Sequence, residues 1–334
     1  MNALGFARRS ARWAFAQPWS GIALFVIVVF VVMSFASPVF LTSINLLNIL
    51  NQSAFLMILA AGMAIVLMGG GIDLSVGAIA GLVGGVAAWL IAETGTPLYG
   101  AILVGLVVAV GLGTLNALII IHLRIPDFIA TLAMLGFVRG LLHIWTEGVP
   151  FINYSSNDFR ILGGLFRLIG GITAPEVIAF FIIVGAILIL LFTKFGRHLR
   201  ATGDNPAIAR LSGVNVIRTK YTIYIVSGFL AGVVGILLAG RLMTVQANMG
   251  LGMEIKALAA AIMGGAVLTG GRGSILGAVL GALALTIIQN IINLFGIEPA
   301  WETLVVGAII LIVVFSGKAP ELLNLARREP RGPG

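Results

Sequence analysis

The 334-residue chain contains no cysteine, which excludes disulfides, thiolate metal sites and cysteine nucleophiles together. Charge is scarce as well: 10% of residues are Asp, Glu, Lys or Arg, against about 25% in a soluble domain. The histidines His122, His143 and His198 stand far apart, and neither H-E-x-x-H nor G-x-S-x-G occurs. Nothing therefore groups a nucleophile, a base or metal ligands as an enzyme centre requires. The stretch GAVLTGGRGS (265–274) has the glycines of a phosphate-binding loop but lacks its G-K-[ST] ending and strand context. No catalytic residue, metal or resident cofactor is expected in this chain.

What is present is apolar. Hydrophobic residues make up 60% of the sequence, and aliphatic runs recur at 20–36, 54–68, 75–91, 98–121, 128–145, 175–192, 221–242, 255–268, 274–295 and 303–315. The pattern predicts an all-α polytopic membrane protein with about ten transmembrane helices, because a run of roughly 17 to 25 apolar residues covers ~30 Å of hydrocarbon. The first run follows Arg8, Arg9 and Arg12 and lacks an A-x-A-like cleavage site, so it reads as a span and not as a removed signal. With the N-terminus in the cytoplasm, every Lys and Arg except Arg139, Arg160, Arg167, Arg241 and Lys256 falls on the cytoplasmic side. Residues 1–19, the loop 193–220 and the tail 318–334 are then cytoplasmic and 146–174 external, within one transmembrane domain, 1–334. The net charge of +8 reads as loop charge facing membrane lipid and not as a nucleic-acid footprint.

Glycine supplies 44 residues, many four apart, as in Gly77/Gly81/Gly85, Gly136/Gly140, Gly228/Gly232 and Gly277/Gly281, a spacing that lets helix backbones approach closely in a bilayer. Gly70, Gly71, Gly77, Ala78 and Gly81 also match Gly270, Gly271, Gly277, Ala278 and Gly281, which raises an internal repeat at a spacing of 200 residues. Amides lie within or beside the spans at Asn48, Asn51, Gln52, Asn116, Gln289, Asn290 and Asn293. They either line a path for a neutral hydroxylated solute or bond one helix to another. Asp73 stands in GGGIDLSVG, where an unanswered carboxylate would cost several kcal/mol. It either caps a helix beginning near Ser75 or lines a gate with Ser75, and the two are compatible.

The loop 193–220 holds DNPAIARLSG, in which Asn205 suits an N-cap, Pro206 the first helical position and Gly213 the left-handed residue after the last turn. This predicts a short helix on the cytoplasmic face, either solvated or a docking surface.

NLLNILNQSA (45–54), GGIDLSVGA (70–78), FIATLAMLGFVRG (128–140), ARLSGVNV (209–216) and GGAVLTGGRGSILGAVLGAL (264–283) together resemble the permease subunit of bacterial ATP-binding-cassette importers of the ribose and related monosaccharide type, over nearly the whole chain. The resemblance implies ten spans in a fold similar to that of the vitamin B12-type importers, set in the bacterial cytoplasmic membrane. It implies a second permease copy or paralogue, two ATP-binding-cassette subunits that carry ATP and Mg, and an extracytoplasmic sugar-binding protein. It makes the short helix the coupling helix, through Asn205, Pro206, Ala207, Arg210, Leu211, Ser212 and Gly213. Of the wider importer pattern, Glu-Ala-Ala followed by a spaced Gly, only Ala207 and Gly213 remain. The pathway or gate residues are then Asp73, Ser75, Asn51, Gln52, Asn116, Gln289, Asn290 and Asn293. The alternatives are a nucleoside or branched-chain amino acid as cargo in the same machine, or an ion-coupled secondary transporter. The amino acid and the coupling ion both call for charges that the spans hold sparingly.

Overall fold

The computed structural model describes residues 17, 19–150 and 157–312. Among these the chain forms helices and no strands, as expected where a bilayer offers backbone groups no water to bond. In chain order they are α1 (Ser20–Ala36), α2 (Ser43–Met68), α3 (Val76–Glu93), α4 (Leu98–His122), α5 (Asp127–Trp145), α6 (Asn157–Leu162), α7 (Ala174–Phe192), α8 (Lys194–Asp204), α9 (Pro206–Leu211), α10 (Val216–Leu242), α11 (Met253–Met263), α12 (Ile275–Leu294) and α13 (Ala300–Ile312). Seven of them, α2, α3, α4, α5, α7, α10 and α12, are long and apolar enough to cross a membrane; α1 and α13 are shorter and apolar.

Two boundaries differ from expectation. Helix α2 starts at Ser43, well ahead of residue 54, because the Thr42 hydroxyl accepts from the Asn45 N–H and begins the helix there. The run 255–268 is not one span: α11 has 11 residues, about 16 Å at 1.5 Å per residue, and stops at Gly264 and Gly265, the latter left-handed at φ 89°. The expected span 303–315 continues beyond Ile312, outside the described residues, as do the tail 318–334 and all of 1–19 except 17 and 19.

Helices α2, α3 and α10 are the most buried, while α4, α5 and α7 turn most of their surface outward. The glycine spacing explains the density. Gly228 and Gly232 on α10 press against Ala109 of α4, Gly235 against Ala80 of α3, and Gly277 and Gly281 of α12 against the backbone of Gly264 and Ala260. Side chains at these positions would hold the helices apart. Gly136 and Gly140 on α5 meet nothing within 4 Å. The loop 193–220 is mostly helical, with α8 running ahead of the expected short helix.

Candidate translocation site

Helix α2 ends in Gly69–Gly71, with Gly70 left-handed at φ 74°, and the chain stays non-helical until α3 begins. Asp73 lies in this break and is fully buried. Its Oδ1 accepts the Ser75 N–H at 3.0 Å and the Ser75 hydroxyl at 2.5 Å, and its Oδ2 accepts the Ser227 hydroxyl of α10 at 2.7 Å. The Ser75 oxygen in turn accepts from Asn116 Nδ2 of α4 at 2.8 Å. One carboxylate therefore ties the start of α3 to α10 and α4. Three donors answer a charge that would otherwise be costly in a helix bundle.

A second polar cluster adjoins it. Tyr224 of α10 donates to Asp127 Oδ2 at 2.6 Å, and Lys220 pairs with the same oxygen at 3.4 Å. A Cβ on Gly71 would stand 2.5 Å from the Tyr224 hydroxyl and 2.7 Å from Asp127 Oδ2, so the glycine is what lets the break pass this pair. A groove of about 370 Å³ beside it is lined by Arg124, Asp127, Pro206, Arg210 and Lys220. Sequence reasoning missed Asp127, Lys220 and Tyr224. The signal available was an acid in the first turn of α5, next to the apolar run 128–145.

The expected amides separate. Asn116 joins Asp73 and Ser75, but Asn290 exchanges hydrogen bonds with Asn45 at 2.8 and 3.2 Å and so pins α12 to α2. Asn51 donates to the Thr173 hydroxyl at 2.5 Å, at the start of α7. Gln289 is half-buried, and Asn48 and Gln52 of α2 and Asn293 of α12 are exposed.

A second break follows α10, which ends at the left-handed Met243. Residues 244–252 run back along α3 without helix, Val245 beside Gly85 and Gly250 against Gly77. Arg139 of α5 donates from Nη1 to the carbonyls of Ala247 at 3.2 Å and Met249 at 2.8 Å. Glu254, on the first turn of α11, is buried and accepts the Gly252 N–H at 3.2 Å through Oε1. Arg139 Nε and Nη2 and Glu254 Oε2 are buried without hydrogen-bond partners. The sequence marks Arg139 as lying inside a span; it does not mark Glu254. Among the described residues no group of His, Asp and Glu is gathered as a metal ion would need.

At one end of the bundle α8 and α9 meet at Asn205. Asn205 Oδ1 accepts the N–H groups of Ala207 and Ile208 at 3.0 and 3.1 Å, Pro206 takes the first helical position, and Gly213 is left-handed at φ 81°. The Val214 N–H bonds back to the Ala209 carbonyl, closing the helix end as the sequence predicts. Ala207, Arg210 and Ser212 are exposed, as are Ile208 at 60% and Leu211 at 90%. Behind α9, Gly203 of α8 lies against the backbones of Met68 and Gly271, and a Cβ there would collide with both. Gly70 and Gly270 close on the same residue, so the two glycine turns matched at a spacing of 200 residues touch around Gly203.

The family described as branched-chain amino acid transport system / permease component matches residues 45–314. The ribose import permease protein RbsC of Escherichia coli (strain K12) is 36% identical over 312 residues, covering 91% of this chain and 96% of that protein. The autoinducer 2 import system permease protein LsrC of Enterobacter sp. (strain 638) is 34% identical over 306 residues, 91% of this chain and 88% of that one. The galactose/methyl galactoside import permease protein MglC of Escherichia coli (strain K12) is 32% identical over 324 residues, 92% and 95% of the two chains. No solved structure matches the chain. A match across most of the sequence, on a bundle whose polar residues gather at two breaks between apolar helices, means that this chain belongs to the permease-component family of the branched-chain amino acid transport systems.

Proposed function

We propose that the chain is the translocation subunit of an ATP-driven importer, forming the membrane path for a monosaccharide delivered by an extracytoplasmic binding protein. Relatives named for ribose and for galactose, similar over nearly their full length, support the cargo class. In this reading the chain is one transmembrane domain in the bacterial cytoplasmic membrane and hydrolyses nothing itself. Two ATP-binding-cassette subunits bind ATP and Mg. Both termini and the α8–α9 end face the cytoplasm, and the segment before α7 is external. The fold is of the vitamin B12-type permease kind with ten crossings, counting the seven long helices, α1, α13, and α11 with its re-entrant segment 244–252. A second permease copy or a paralogue packs on α5, where Gly136 and Gly140 have no neighbour. Asp73, Ser75 and Asn116 act at the gate. Gln52, Gln289 and Asn293 offer amides along the path, and Asn51 and Asn290 fix the helices that carry it.

The observation that carries this reading is α9. It is a two-turn helix stopped at both ends by Asn205 and Gly213, and it holds Ile208 and Leu211 out from the bundle. Exposed apolar side chains on so short and well-capped a helix suit a socket in a partner, here the ATPase subunit. Gly213→Val imposes a left-handed conformation on a β-branched residue at a cost of about 1 to 3 kcal/mol, and Ala207→Glu sets a charge on the docking face. Both variants are expected to insert in the membrane and to lose ATPase-subunit retention or sugar-stimulated hydrolysis in purified complexes. Normal retention with normal stimulation in both would sink the coupling role.

A further inference from the structure

At the end of the bundle away from α8 and α9, a cavity of about 380 Å³ opens between α3 and α5, lined by Gly85, Trp89, Glu93, Trp145, Glu147 and Val245. The two indoles stand edge to face, centroids 6.0 Å apart and planes at 66°, and each remains more than a third exposed. Indoles that merely anchor helices at a bilayer surface need no concavity. These two, from different helices, form the wall of one. Gly85 gives it depth, since a Cβ there would already stand 3.3 Å from the Trp145 ring and from Val245. Two carboxylates complete the rim. Glu93 is the last residue of α3, and Glu147 sits just past α5 in a left-handed conformation at φ 52°, followed by Gly148 at φ 71°. A side chain held there against its backbone preference is the kind of strain that gathers at binding sites. Neither carboxylate forms an ion pair among the described residues.

The volume lies at the lower end of small-molecule sites, which run from about 300 to 1,000 Å³. The chemistry is two-faced: indole faces take an apolar C–H surface, and carboxylates accept hydrogen bonds from hydroxyl groups. A sugar ring has both, one face of C–H bonds and an edge of hydroxyls. Among the described residues no cation lines the cavity, so two carboxylates disfavour a phosphorylated or acidic sugar. Val245 on the floor belongs to the re-entrant segment 244–252, which Arg139 holds further along at Ala247 and Met249. We propose that this cavity is an external vestibule in which a neutral monosaccharide rests against Trp89 and Trp145, with its hydroxyls on Glu93 and Glu147, before it enters the membrane path. The inference rests on the sugar-import reading and adds to it a place on this chain where the sugar itself is recognised.

The test titrates the full-length chain in nanodiscs with D-ribose and D-galactose, and with D-ribose 5-phosphate as the charged control, reading tryptophan emission. A saturable change with a neutral sugar and none with the phosphate is expected. Trp89→Leu should weaken it about tenfold, the scale on which a small apolar contact discriminates in a pocket, and Trp89→Tyr should recover most of the loss. Glu147→Gln should weaken binding several-fold without changing thermal stability. Sugar titrations unchanged in Trp89→Leu and Glu147→Gln overturn the vestibule and leave the tryptophans as interfacial anchors. Variants that lower only the affinity for the binding protein overturn it too, since the rim would then be a protein-docking surface. A parallel assay of ATP-dependent uptake by the assembled importer separates the two readings. Failure to import any sugar sinks the sugar-import reading itself, whereas sugar import at the wild-type KM in both variants sinks only the vestibule.

Discussion

The bundle is broken twice at depth, and the two breaks are built in opposite ways. In residues 69–75 each oxygen of the buried Asp73 carboxylate has a donor, from Ser75 just ahead of α3 and from Ser227 of α10, and Asn116 of α4 bonds Ser75 through its nitrogen while its oxygen stays unbonded. In residues 244–252 and the charges around them, Arg139 hydrogen-bonds through one nitrogen and Glu254 through one oxygen, and beyond those bonds the two answer each other only as opposite charges. A carboxylate bonded at both oxygens favours one arrangement, because moving it breaks those bonds. Unmet buried groups lower the cost of leaving the present arrangement, because a moved segment can gain partners it now lacks. The first break is held through a carboxylate bonded at both oxygens; the second is held through one guanidinium nitrogen on two carbonyls.

Four substitutions at three sites test the contrast. Asp73→Leu should have the largest effect, about 4 kcal/mol of unfolding free energy in mixed micelles, since it strands the Ser75 N–H and two hydroxyls in a dry site. Asp73→Asn keeps an acceptor for Ser75 and should cost about 1 kcal/mol. Equal losses in Leu and Asn would mean that the charge, and not the bonding, is what the site requires. Arg139→Met should be intermediate, about 3 kcal/mol, because it strands the carbonyls of Ala247 and Met249 and leaves the buried Glu254 without the opposite charge it interacts with. Glu254→Gln should cost less than Arg139→Met, about 1 to 2 kcal/mol, since the amide oxygen still accepts from Gly252 but Arg139 loses the opposite charge it interacts with. A loss at Glu254 as large as that at Asp73→Leu would erase the distinction between the two breaks.

What the sequence made legible was local. Asn205, Pro206 and Gly213 mark both ends of α9 because cap and capped groups lie within a few residues of one another, and Asp73 points to Ser75 for the same reason. Aliphatic runs gave the helices. The partners that decide what Asp73 does, Ser227 and Asn116, and those of Asp127 and Arg139, come from other helices, and no spacing rule connects them. The length of α11 was hidden because the run 255–268 stays mostly apolar past the helix end at Gly264. The amides were equivocal for a related reason: Asn290 bonded to Asn45 and Asn293 exposed are one turn apart in the same helix, and only the neighbouring helix tells them apart.

The junction at Gly203 has a mechanical consequence. Where Gly70, Gly203 and Gly270 meet, main chain bears directly on main chain, with no side chain between. A side chain can take up a small displacement by turning to another rotamer; peptide units in contact cannot. A thrust along α8 therefore meets no compliance at its far end and is delivered at once to the turns ahead of both α3 and α12. In the proposed coupling, the stiffness of that contact would set how much of a partner's stroke passes from α8 to the helices beyond.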